Sequence, residues 1–200
     1  MGKKLEAARK EMAFARKSLE QMRSADDLGA FDNHWKDLLG RLTRLWFKTQ
    51  ASLKGDPRFT NSPHVKRVNV DLKKDPLIQY LARARDADEH TTAEITGQIE
   101  AGMQYEFELP DGNRIMMRNP QITIGDGPAM PMKTVGAARE YFAPAEVFAN
   151  EVTTRDVKYS VPTMHDGKAL PDTKLVTFAQ LGLEYYERFL DAMEADGWDR

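Results

Sequence analysis

The chain opens with apolar residues at steps of three and four: Leu5, Ala8, Met12, Ala15, Leu19 and Met22. That spacing lines one stripe of a helix. Beyond the loop at Ser24–Asp27, Asp26 or Asp27 can cap a second helix. Its stripe is Phe31, Trp35, Leu38, Leu42, Leu45, Thr49 and Leu53, widened by Leu39 and Trp46, and Gly55-Asp56-Pro57 ends it. Residues 64–73 read as a short helical or irregular piece. Asp75-Pro76 then opens a further helix, an acid at the N-cap and a proline at the first position. Its line runs Leu77, Leu81, Ala84 and Asp88. Long amphipathic helices joined by short loops predict an antiparallel bundle.

After residue 92 the period changes. Tyr105, Phe107 and Leu109 alternate with polar residues, Pro110-Asp111-Gly112-Asn113 makes a turn, and Arg114–Arg118 runs back as the second arm of a hairpin. Gln121–Ile124, Val147–Val152 and Asp156–Val161 are further strand candidates, set among frequent Pro and Gly. A last helix is expected from about Asp172, striped by Leu175, Phe178, Gly182, Tyr185, Phe189 and Met193. The expected class is α+β in a single domain, 1–200. It is mainly a helical bundle, built from 1–92 and 173–195. A small antiparallel β-rich insertion at about 93–171 precedes the C-terminal helix.

Composition sharpens this in a few places. With 200 residues, 41% hydrophobic and 30% charged, the chain can bury one good core. It has no cysteine, which removes disulfides, thiolate chemistry and cysteine-based zinc sites and fits a reducing, cytoplasmic setting. The first residues, MGKKLEAARKEMAFARK, lack the continuous apolar region of a signal peptide, and Glu6 stands where myristoylation wants Ser or Thr. No stretch approaches the roughly 20 apolar residues of a membrane span, so no membrane partner is expected. The net charge of −2 conceals an asymmetry. Residues 1–90 hold 19 Lys and Arg against 13 Asp and Glu, whereas 91–200 hold 10 against 18. A basic half suggests an anionic partner, although helical surfaces favour Lys and Arg in any case.

Candidate chemistry concentrates in Arg83-Ala84-Arg85-Asp86-Ala87-Asp88-Glu89-His90, the last turns of the third striped helix. Asp86 and His90 are four apart and can touch, which would fix the imidazole tautomer and raise its proton affinity. At about 100° per residue, His90 lies about 140° from Arg85 but close to Arg83. An arginine for phosphate, a histidine for proton transfer and an orienting acid form a phosphodiester-cleaving set that needs no metal when RNA supplies its own 2′-hydroxyl.

Arg85-Asp86-Ala87-Asp88-Glu89-His90 also resembles the motif of the HEPN superfamily (higher eukaryotes and prokaryotes nucleotide-binding). Its members are helical bundles carrying Arg, a polar residue, a few variable positions and His. The resemblance covers residues 1–92 and extends to the final helix. It implies that Arg85 and His90 are the functional pair, with Asp86 at the polar position, which is often Asn. Active members are metal-independent endoribonucleases of toxin or defence type, without cofactor, that form homodimers so that two motifs line one cleft. The implied catalytic residues are therefore Arg85, His90 and Asp86, with Arg83 assisting at phosphate and RNA as substrate.

A plainer reading stands beside this. The charged turns can be a solvated helix end whose ion pairs each contribute little, with His90 favoured at the C-terminus by the helix dipole. The chain would then be a non-catalytic bundle that binds a partner protein or ligand through its β-rich segment. Other constellations are weaker. Asp86 and His90 alone share a face and do not make a zinc site. His34, His64 and His165 read as isolated surface or packing residues, and the tryptophans as core. Gly125-Asp126-Gly127 is too short for a phosphate loop.

Overall fold

The computed structural model describes residues 4–122, 130–131 and 139–198. The chain is α+β, with five α-helices and small antiparallel sheets among the described residues. The helices are α1 (Glu6–Arg23), α2 (Leu28–Leu53), α3 (Pro63–Lys74), α4 (Pro76–His90) and α5 (Leu175–Ala195). Side-chain caps start two of them. The Asp27 carboxylate accepts the Ala30 N–H at 2.7 Å and starts α2. Asp75 does the same for Ile78 at 3.0 Å, and Pro76 follows it into α4. The α1 stripe from Leu5 to Met22 is wholly buried, and so is the α5 stripe from Leu175 to Met193.

The chain divides into two compact units, residues 1–97 with 147–200, and residues 98–146. In the first, α1 packs along α2, while α5 packs against α1, α2 and α4. The segments 1–92 and 173–195 thus share one apolar core, as amphipathic stripes require. Close approach depends on Gly182. A Cβ there would lie 2.6 Å from Leu81 Cδ1 and 3.2 Å from Leu42 Cδ1. Edge-to-face ring pairs, Trp46 with Phe189 and Tyr80 with Phe178, tie α2 and α4 to α5.

Much of the basic surplus of the first half is answered inside this unit. Arg9 pairs with Asp191 and Glu194, and Arg16 with Glu187, so basic α1 lies against acidic α5. On the α1–α2 seam, the buried Glu11 carboxylate receives Lys48, Arg41 at 3.3 Å and Arg44 at 3.5 Å. Burial alone would raise the Glu11 pKa, but these cations outweigh it and hold the group below its ordinary value.

The strands are β1 (Thr96–Ile99), β2 (Gly102–Glu108), β3 (Arg114–Arg118), β4 (Gln121–Ile122), β5 (Met130–Pro131), β6 (Arg139–Ala143), β7 (Glu146–Ala149), β8 (Val152–Thr154), β9 (Val157–Tyr159), β10 (Met164–His165) and β11 (Lys168–Ala169). The β-rich stretch expected at 93–171 is therefore shared between the two units. Residues 147–171 belong with the helices, where β8 and β10 pack on α4. Residues 98–146 carry the sheet β3-β2-β6. The expected hairpin is present, with Phe107 opposite Ile115 and Tyr105 opposite Met117, and Gly112 takes a positive φ of 80° in the turn. The latter part of the expected strand Gln121–Ile124, with Gly125-Asp126-Gly127, lies outside the described residues.

Candidate functional site

Helix α4 buries Leu77, Ile78, Tyr80, Leu81, Ala84 and Ala87, and then its apolar residues end. Asp88, Glu89 and His90 are exposed. Thr91 stops the helix by turning extended, its hydroxyl donating to the Ala87 carbonyl at 2.8 Å. The charged finish is therefore the point where the helix leaves the core. It is also fastened. Lys36 of α2 reaches Asp32 at 2.8 Å, Asp88 at 3.6 Å and Glu94 at 3.8 Å, while the Thr96 hydroxyl donates to Asp32 at 2.6 Å. The Asp32 hydrogen bond raises the Lys36 pKa, so this clasp stays charged.

Within one chain, the structure brings Arg83, Arg85 and Asp86 together. Arg83 donates to one oxygen of Asp86 at 3.1 Å and Arg85 to the other at 3.4 Å, and Arg85 also pairs with Glu89. The Arg83 guanidinium lies 5.5 Å from the Tyr159 ring centroid. Both arginines keep a buried Nε–H with no acceptor among the described residues. His90 stands apart. Its imidazole makes no hydrogen bond among the described residues, whereas each Asp86 oxygen accepts from a guanidinium group and keeps a lone pair open. The expected Asp86–His90 contact is thus replaced by a two-arginine bridge.

Beside this pair lies an apolar groove of about 190 Å³ between α2 and α4, lined by Leu42, Trp46, Phe47 and Leu81 with Arg83 and Asp86. Phe47 is 56% exposed.

A second polar constellation escaped the sequence reading. His165, only 9% exposed, sets Nδ1 against Asp75 at 3.0 and 3.1 Å, and Asp75 also accepts the Asp166 N–H at 2.7 Å. From Asp166 the chain of contacts continues through Arg67 to Asp71, which accepts the Tyr185 hydroxyl at 2.8 Å. The Tyr185 ring returns edge-on to His165 at 6.1 Å. This closed ring ties α3, the start of α4, the β10–β11 hairpin and α5. Burial pushes the Asp75 carboxyl up, but hydrogen bonds from His165 and two backbone N–H groups outweigh that and hold it below the ordinary range. The signal that would have found it is Asp166-Gly167, a two-residue hairpin turn with both residues at positive φ. That turn places His165 at a strand end facing the Asp75 cap.

Among the described residues no three His, Asp or Glu side chains gather as a metal set, and no helix is long and apolar enough to cross a membrane. No family model, curated protein or solved structure matches the chain.

Proposed function

We propose that the chain is a HEPN-like, metal-independent endoribonuclease that works as a homodimer, with Arg85 and His90 as its reacting pair. The carrying observation is the end of α4. There two half-buried guanidinium groups are held side by side by Asp86, two turns or less from an exposed imidazole with no hydrogen-bond partner among the described residues. Fixed guanidinium donors suit a phosphate, and an unengaged imidazole suits proton transfer. Arg85 and His90 point apart on one helix, so a cleft made by two copies of α4 is the arrangement in which they meet on one phosphate.

In this reading the ribose 2′-oxygen attacks phosphorus and the bond to the 5′-oxygen breaks. His90 takes the 2′-hydroxyl proton, and the imidazolium of the second motif gives one to the leaving oxygen. Arg85 stabilises the charge on the phosphate, and Arg83 steadies the flanking backbone. Asp86 positions both arginines and leaves the imidazole free. The products are a 2′,3′-cyclic phosphate and a 5′-hydroxyl. Incubation of the purified protein with mixed RNA and with DNA, each with excess chelator, tests this. RNA should be cut to cyclic-phosphate ends and DNA left intact.

A second reading has its own support. On the sheet β3-β2-β6, Met103 and Phe142 sit opposite each other and Ile115 opposite Phe107, and Phe142 is 67% exposed. Such an apolar row suits a protein or ligand partner. If RNA is degraded equally by the wild type and by His90→Ala, contamination is the cause and this reading leads.

A further inference from the structure

The groove between α2 and α4 shares two residues with the charged end of α4. Arg83 and Asp86 line it together with Leu42, Trp46, Phe47 and Leu81. Its volume of about 190 Å³ leaves room for one planar heterocycle. The lining is divided in chemistry. Leu42, Trp46 and Leu81 are buried and belong to the core, while Phe47 presents an exposed ring at the edge of the groove. Thr43 adds a hydroxyl, and the Arg83–Asp86 pair brings a carboxylate and a guanidinium to the same space.

We propose that this groove is a nucleobase subsite, which takes one unstacked base of single-stranded RNA beside the cleaved phosphate. The proposal rests on the ribonuclease reading of α4 and names how its substrate is held. RNA is read in this way when an unpaired base stacks on an aromatic side chain and presents its hydrogen-bonding edge to polar groups. Phe47 supplies the stacking face. The Asp86 carboxylate accepts from an exocyclic amino group, which selects amino-bearing bases. Arg83, on the same lining, faces the backbone phosphate of that nucleotide. Phe47 is 56% exposed, which leaves its ring open to a base.

The test uses full-length His90→Ala protein, which binds without cutting, and a labelled eight-nucleotide single-stranded RNA read by fluorescence anisotropy. Stacking of one base contributes about 1–3 kcal/mol, so adding Phe47→Ala should weaken binding about tenfold. Replacing that change by Phe47→Tyr should keep the affinity, and Phe47→Leu should not, because an apolar side chain without a ring gives no stacking face. RNA with abasic positions should bind weakly, and equally with and without Phe47→Ala. Unchanged affinity after Phe47→Ala overturns the subsite, and so does no RNA binding at all. Binding that depends on Phe47, with no cleavage by the wild type, would leave the subsite standing and remove the ribonuclease reading instead.

Discussion

Asp75 caps α4, anchors the buried His165 and accepts the N–H of Asp166, so three contacts meet on one carboxylate. Asp75→Ala removes a cap of about 1 kcal/mol and strips a partner from a buried ring, a further ~1–3 kcal/mol. Denaturant unfolding should therefore show a loss of about 2–4 kcal/mol, and Asp75→Asn, which still caps, a smaller one. The pH dependence has a definite sign. Asp75 and Glu11 both have pKa values depressed in the folded chain. Their contributions are complete above the unfolded carboxylate range of about pH 4 and are lost as pH falls through the lower folded values. Stability measured from about pH 6 downward should hold and then fall below about pH 4, with a shallower fall in Asp75→Asn. A fall that begins near about pH 6 would indicate a different controlling group.

At the scale of elements, the contact between α5 and its neighbours turns on Gly182, where a side chain meets Leu81 and Leu42. Gly182→Val should overpack this crossing and cost about 1–3 kcal/mol in unfolding free energy, even though valine is the better helix former. An unchanged or raised stability would show that α5 is held less tightly than its burial implies. Where one period ran long, the elements were legible in the sequence: the stripes of α1, α2 and α5 and the hairpin of β2 and β3 lie where their patterns put them. The expected strand Val147–Val152 overlaps β7 and Asp156–Val161 contains β9, whereas β10 and β11, two residues each, are too short to carry a period. They are held by side chains such as His165, whose Nδ1 lies 3.0 Å from an Asp75 oxygen. Of the candidate site, the sequence disclosed the charged end of α4. It did not disclose that Asp86 prefers two guanidinium groups to His90. Helical spacing permits both contacts, and only packing against Tyr159 and Glu89 decides between them. The Asp75–His165 ring was invisible for a different reason, since its members lie 90 residues apart.

Over the whole molecule, the two units differ in kind. The helical unit holds the continuous core, and among the described residues none of that core comes from 98–146. The chain leaves and re-enters the helical unit at neighbouring points, since the Phe148 ring lies over Gly97. Replacing 98–146 by a short glycine linker should therefore leave a helical protein with a cooperative thermal transition and little loss of helical circular dichroism. A molten product would mean that the second unit is needed to hold the first. The internal pairing of basic α1 with acidic α5 engages part of the basic surplus of the first half, and the proposed ribonuclease takes its anionic substrate at the end of α4.

That claim is most directly tested by single-turnover cleavage of a labelled RNA, in chelator, by wild type and His90→Ala purified in parallel. The His90 imidazole is exposed and makes no hydrogen bond among the described residues, so the substitution should change stability by less than about 0.5 kcal/mol. The account predicts cyclic-phosphate products from the wild type and a loss of about a hundredfold or more in rate for His90→Ala at equal folded fraction. Equal rates for the two proteins, or no cleavage by the wild type, would contradict it.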